Sequence, residues 1–258
     1  MRLFVSEYLC SGAWPDELTG SLAREGRAML TALLADASHI EDVDVVTTWD
    51  TRLGAPPDYV EVHLVPSPDE ERRRFTELVA ASDATWLIAP EFDGILATRA
   101  VEVEARGKRL CGPDSESIRL CGDKLRLAEH LQAHDIPTIE THPCPPGEDI
   151  TPDAFPCVVK PRYGAGSQET FLITDAAQWN SILNSANGPH SFSERIRQPF
   201  VAGSAISMAV IVDGGGNAVD VFRPADQLLS SDGRFKYRGG RIPSSTACPG
   251  TIDDLIRR

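Results

Sequence analysis

Lys160 stands between a short apolar run, Cys157-Val158-Val159, and a loop of small residues, Gly164-Ala165-Gly166-Ser167. The run follows Pro156 and reads as a buried strand. Lys160 is expected to end that strand, because Pro161 has no N–H to carry the ladder further. The glycines accept positive φ and let backbone N–H groups close on an anion. Phe171-Leu172-Ile173 then reads as a returning strand. Such a unit is suited to phosphate: a fixed ammonium from Lys160 and a hairpin flap folded over the anion. It is neither a Walker loop, since no Gly-Lys-Ser/Thr follows the glycines, nor a dinucleotide fingerprint. An ordinary β-hairpin with a lysine at its edge is the competing reading.

Other residues could join this chemistry. Lys124 follows Asp123, which caps a helix carrying Leu125, Ala128 and Leu131. A cation in the first turn opposes the helix dipole, and an anionic ligand would offset that. A solvated surface lysine is the alternative. Glu7 lies near the end of the first strand, before Ser11-Gly12, and Glu91 and Asp93 follow a buried strand. Carboxylates there could hold an amine or ammonium group. They could equally be solvated loop acids, with Asp93 capping the next helix. Arg234–Arg241 is the densest basic stretch and by itself reads as a solvated charged turn.

Alternating strands and helices must position these groups. Leu3–Tyr8 reads as a strand, and residues 21–36 as a helix with Leu22, Met29, Leu30, Leu33 and Leu34 on one face. Val43–Thr47 and Val60–Val65 are strand-like. Ser67-Pro68-Asp69-Glu70 opens a helix through a capping box. Thr85–Ala89 is a strand, Ile95–Arg106 a helix and Leu110-Cys111 a short strand. This order predicts an α/β fold with a parallel sheet over residues 1–113. Ligands of such sheets sit beyond the carboxyl ends of the strands. A second unit is expected over 114–202, with a loop at 143–153 and a helix at Asp175–Asn184. A third begins at 203, with a strand over Ala205–Val212, a turn at Gly214-Gly215-Gly216 and a returning strand over Val219–Phe222.

The order of a helix-start lysine, a strand lysine before a glycine flap, and a hinge strand Gln198-Pro199-Phe200-Val201-Ala202-Gly203 resembles the ATP-grasp superfamily over roughly residues 114–250. The stretches Glu7–Ala13, Ser21–Leu30 and Ala89–Gly94 look like one branch of it, which includes the tyramine–glutamate ligases of methanofuran synthesis and related bacterial proteins of one-carbon metabolism. The resemblance implies an ATP-grasp fold behind a Rossmann-like pre-ATP-grasp domain. It implies an ATP-dependent carboxylate–amine ligase that forms an amide through an acyl phosphate, with Mg2+. Lys124 and Lys160 would contact the α/β-phosphates, and Gly164, Ala165, Gly166 and Ser167 would close over them. Gln198, Phe200 and Val201 would form the adenine strand. Lys236 and Arg238 would reach the β/γ-phosphates, and Arg241 a substrate carboxylate. Glu7, Ser11, Gly12, Glu91 and Asp93 would line the substrate side. Where the family places a second acid for the ribose, this chain has Ala205.

The last residues, Thr251–Arg258, read as a helix start capped by Thr251, with Asp253 and Asp254 as cap residues. The family continues to strands that carry its Mg2+ ligands, so the expectation is a truncated chain, inactive alone, with its metal ligands beyond Arg258. A non-catalytic ATP-binding module is the alternative function.

At 258 residues, with 41% hydrophobic and 24% charged residues, the chain can bury a core without staples. A net charge of −13 and no large Lys/Arg cluster argue against nucleic acid as partner. No Cys-x-x-Cys pair occurs among the cysteines at 10, 111, 121, 144, 157 and 248, which favours reduced thiols in a cytoplasmic protein. No run of membrane-spanning length and no leader pattern occur. The expected partners are a small carboxylate and a small amine, and a homodimer stays open.

Overall fold

The computed structural model describes residues 1–90, 92–145, 154–184 and 194–245. They form two units, Met1–Gly122 and Asp123–Arg258.

In the first unit, β1 (Arg2–Glu7) sits at the centre of a five-stranded parallel sheet. Its neighbours are β2 (Asp44–Asp50) and β4 (Ala84–Ile88), with β3 (Glu61–Val65) and β5 (Arg109–Leu110) outside them. Successive side chains of a strand point to opposite faces. Leu3, Val5 and Val45 accordingly pack with Leu30 and Leu34 of α1 (Gly20–Ala37) on one face. Phe4 and Val46 pack on the other face with Phe75, Leu78 and Val79 of α2 (Pro68–Ala81) and Val103 of α3 (Ile95–Ala105). Burial on both faces explains why β1 reads as a continuous apolar run. The expected cap of α2 forms, with Ser67 Oγ accepting from Glu70 N at 3.3 Å.

Several expectations for this unit need correction. On α1 the buried positions are Ala23, Gly26, Leu30, Leu34 and Ala37, while Leu22 and Met29 are exposed. The inward face is narrower than the leucines suggest, because small residues let the helix lie close on the sheet. Helices do not alternate throughout, since β2 reaches β3 through only a short 3-10 turn at Thr51–Leu53. Asp93 does not cap α3: the N-cap is Gly94, and Asp93 is exposed with φ of 54°. The unit also runs past residue 113. Helix α4 (Ser115–Gly122) packs Ile118 against Ala97 and Ala100 of α3, and Glu104 accepts from both Ser115 N and Ser115 Oγ at 2.7 Å.

In the second unit, α5 (Lys124–Ala133) precedes an antiparallel sheet of order β6 (His142–Cys144), β9 (Arg195–Pro199), β7 (Cys157–Pro161), β8 (Phe171–Ile173). Cys144, Cys157, Val159 and Ile173 form its core with Trp179 of α6 (Ala176–Asn184). Strand β6 lies partly within the expected loop at 143–153. Lys160 does not end β7, because Pro161 still pairs opposite Arg195 of β9. Proline lacks only the N–H, and the ladder toward β8 has already stopped at Val159 opposite Phe171. The strand expected over 205–212 is two strands in different sheets. β10 (Ile206–Ser207) joins β13 (Ala225–Leu229) and β14 (Tyr237–Arg241), while β11 (Val210–Val212) pairs with β12 (Ala218–Val221). The expected hairpin over Gly214–Gly216 is that β11–β12 pair. The basic stretch is largely strand β14 rather than a turn. Thr251, Asp253 and Asp254 lie outside the described residues.

Candidate functional site

Register places Lys160 opposite Ile196, and Val158 opposite Gln198, on the face of the second unit's sheet turned away from the Cys157–Val159 core. Lys160 is half-buried, and burial holds its ammonium below the ordinary lysine range. Among the described residues no acceptor is within hydrogen-bond reach of Lys160 Nζ. A cation withdrawn from water without a counter-charge favours binding an anion there.

The loop after β7 is shaped by positive φ: 88° at Gly164, 71° at Gly166 and 56° at Ser167. Open space surrounds both glycines, so their freedom serves the backbone path and not a close contact. The loop is not a bare hairpin tip. Ser167 Oγ donates to Phe235 O at 2.8 Å, and Leu172 N donates to Gly233 O at 2.8 Å. Arg234 lies 3.9 Å over the Phe171 ring. The turn between β13 and β14 thus holds the flap along its outer edge. Phe235 also meets Phe200, with ring centroids 6.1 Å apart, which connects flap and hinge. Ala165 is exposed.

Lys124 lies at the base of the flap. Its Nζ donates to Arg162 O at 3.2 Å and to Gly164 O at 2.7 Å, so flap carbonyls already answer the cation at the helix start. Asp123 caps α5 through Leu125 N and Arg126 N and also holds Arg162. Sequence reasoning assigned Asp123 the cap alone. The partner Arg162 is 39 residues away, and no local pattern marks such a pair. Phe235 was missed for the same reason.

On the hinge, Gln198 donates to Thr141 Oγ1 at 2.8 Å, and Phe200 N to Pro156 O at 3.0 Å. Val201 is exposed. Lys236, Arg238 and Arg241 are exposed along β14 or at its start.

In the first unit Glu7 is 1% exposed. Its carboxylate accepts from Cys10 N at 2.7 Å and lies against Gly26 of α1. Burial raises its pKa, opposed by the hydrogen bonds from Cys10 and Leu9. Glu7 therefore braces the turn after β1 and offers no open carboxylate to an amine in this conformation. Ser11 is buried, its hydroxyl donating to Tyr8 O at 3.0 Å, and Gly12 has φ of 96° where a Cβ would meet Val65. Glu91 lies outside the described residues. Beside Ser11, Trp14 stacks edge-on with Tyr8 and Phe92.

The family model described as an ATP-grasp domain matches residues 121–258, and one described as a pre ATP-grasp 3 domain matches 43–118. The chain belongs to the ATP-grasp family. An ATP-grasp relative, biotin carboxylase of Pseudomonas aeruginosa, is 26% identical over 202 residues, which cover 70% of this chain. The matched part is only 42% of that enzyme's length. The D-alanine–D-alanine ligase of Bacillus anthracis superposes with a TM-score of 0.65 at 18% identity, covering 98% of this chain and 74% of the ligase. The biotin carboxylase domain of Hydrogenobacter thermophilus 2-oxoglutarate carboxylase, solved with MgADP and bicarbonate, superposes with a TM-score of 0.71 at 16% identity. That match covers 99% of this chain and 56% of the domain. The ATP-grasp fold, with its parallel pre-ATP-grasp sheet, is therefore the fold of this chain.

ATP is the nucleotide this family handles, and the half-buried Lys160 fits an anionic group. Mg2+ is different. Among the described residues no group of three or more His, Cys, Asp or Glu side chains could hold a metal ion. No helix among the described residues is long and apolar enough to cross a membrane.

Proposed function

We propose that the chain is the nucleotide-binding part of an ATP-dependent carboxylate–amine ligase. The observation that carries this reading is Lys160, half-buried on a sheet face, depressed in pKa and without an acceptor among the described residues, beside a glycine flap. Lys160 Nζ would hold phosphate oxygens as a fixed charge, and residues 164–167 would close over them and exclude water. Gln198, Phe200 and Val201 would border the adenine, with Lys236 and Arg238 nearer the terminal phosphates. A substrate carboxylate attacks the γ-phosphorus and releases ADP. An amine nitrogen then attacks the acyl carbon, phosphate leaves and the nitrogen loses a proton, giving the amide.

The stretches Glu7–Ala13, Ser21–Leu30 and Ala89–Gly94 favour the branch of tyramine–glutamate ligases, with a small acid and a small amine as substrates, and the cysteine pattern favours a cytoplasmic location. Arg241 is the proposed carboxylate contact, and Ser11, Gly12, Glu91 and Asp93 the substrate side of the first unit. Glu7 supports that side indirectly, by bracing the turn. Mg2+ would accompany the phosphates of ATP and neutralise their charge.

The test is calorimetric titration of ATP and ADP into the wild type and Lys160→Ala. The variant is expected to bind about 2 kcal/mol more weakly, the range of one charge-assisted contact. Equal affinity in the two proteins would remove Lys160 from the site. Amine-dependent release of ADP by the wild type, absent without a carboxylate, would identify the reaction.

A further inference from the structure

We propose that Asp123 is a positioning residue for nucleotide binding: through Arg162 it anchors the base of the glycine flap to the start of α5. The inference rests on the nucleotide-site reading above and adds a residue that no ligand touches.

Asp123 is only 3% exposed. Its carboxylate takes five donors. Oδ1 accepts from Leu125 N at 3.1 Å, Arg126 N at 3.2 Å and Arg162 Nε at 2.7 Å. Oδ2 accepts from Arg162 Nη2 at 2.6 Å and, at the long limit of 3.4 Å, from Tyr163 OH. A carboxylate so occupied has no capacity left for a ligand. The fork of Arg162 meets it side-on, the geometry that fixes an arginine in both direction and rotation. Burial would raise the carboxyl pKa, but the Arg162 pair and the helix amides outweigh it and hold it low. The pair is therefore charged at neutral pH.

The contact is returned from the helix side. Lys124 N and Nζ both donate to Arg162 O at 3.2 Å, and Nζ donates to Gly164 O. On the far side Arg162 N donates to Glu194 O at 3.1 Å, and Arg162 Nη1 lies 3.3 Å from the Glu194 carboxylate. The segment 162–164 is thus tied to α5 and to the entry of β9. Beyond it the chain enters left-handed backbone at Gly164, Gly166 and Ser167. Asp123 sets where the fixed part of the flap stops and the closing part starts. Arg162 is two residues from Lys160 along the same strand exit, so loosening it also loosens the direction of that ammonium.

The experiment compares wild type, Asp123→Asn, Arg162→Met and the double variant, first without nucleotide. Amide hydrogen exchange is followed across 160–171, with β1 and β4 as internal reference. Asp123→Asn keeps an oxygen for the α5 amides and loses the charge, while Arg162→Met leaves the cap whole. Each single variant is expected to speed exchange of the flap base about tenfold, the equivalent of one charged hydrogen bond. The double variant is expected to add little, and the reference strands should not change. ADP affinity should fall by a similar factor in each variant. Unchanged flap exchange in Arg162→Met overturns the proposal whatever ADP does. Faster exchange with unchanged ADP affinity overturns the link to binding. Failure of the wild type to bind ADP at all refutes the nucleotide reading instead, and with it the link, while the exchange data still decide whether Asp123 anchors the flap.

Discussion

Gly26→Ala would set a new methyl group against a buried carboxylate of the first unit. A Cβ built at Gly26 would lie 2.7 Å from Glu7 Oε1, 2.8 Å from Cδ and 3.0 Å from Oε2. The clashing atoms end a side chain that could swing away if it were in solvent. Glu7 is 1% exposed, however, and its carboxylate is held by Cys10 N. Moving it means either displacing α1 from the sheet or leaving the Cys10 amide unpaired. Overpacking of this kind costs about 1–3 kcal/mol. An abandoned buried donor costs about 1–3 kcal/mol more if the carboxylate leaves it. Alanine gains roughly 1 kcal/mol in helix propensity over glycine. The net expectation is a loss of about 2–3 kcal/mol. Urea unfolding followed through the buried Trp49 measures it, since that indole sits in the same core as Leu30 and Leu34. Adding Glu7→Ala should recover part of the loss, because the space is then open. A Gly26→Ala protein as stable as the wild type would refute the argument that Glu7 is fixed.

Glu7→Gln tests the charge of the same group. Burial raises the folded pKa of Glu7 above the ordinary 4.5, so the unfolded chain ionises first as pH rises. Wild-type stability should therefore fall relative to Glu7→Gln from about pH 4.5 upward and level off above the folded pKa; a gap that is constant or narrows with rising pH would show the carboxylate to be well solvated. Gly164→Val and Gly166→Val place branched residues at φ of 88° and 71°, a strain of about 1–2 kcal/mol each that the exposed loop can release by rearranging. The expected outcome is a raised ATP KM with unfolding of the β7–β9 sheet unchanged, and loss of folding would mean that the loop is structural.

The elements legible in the sequence were those whose residues report their own surroundings. β1 and β2 are buried on both faces or nearly so, and their apolar runs say as much; β4 is buried at Ala84 and Thr85 and opens at Trp86. The cap at Ser67, the cap at Asp123 and the glycine turn before β12 rest on local backbone chemistry, which a few neighbouring residues determine. β6, β10 and β13 were not legible. β6 and β10 have three and two residues, too few to display a period, and β13 (Ala225–Leu229) mixes polar and apolar residues without a clear alternation. The inward face of α1 was misjudged because periodicity counts leucines, whereas the closest approach to the sheet is made by Gly26 against a buried carboxylate. Neither glycine nor glutamate carries a core signal by itself.

The two lysines expected on the phosphates show why a site needs geometry as well as residue type. A lysine in the first turn of a helix is anomalous, and a missing anion is one way to explain it. Around Lys124 the anomaly is answered internally: two carbonyl oxygens of the flap base receive its ammonium, and the neighbouring Asp123 carboxylate is buried at the same helix start. For Lys124 to reach a phosphate it must exchange those carbonyls for phosphate oxygens, so only the difference between the two sets of contacts is available for binding. Lys160 has no such contact to give up among the described residues, and burial has already removed part of its hydration. An anion arriving there restores interactions that folding took away. The free energy of phosphate binding should therefore weigh more on Lys160 than on Lys124. On the proposed reading Lys124 should contribute more through its hold on the Gly164 carbonyl, and with it the flap, than through a new phosphate contact.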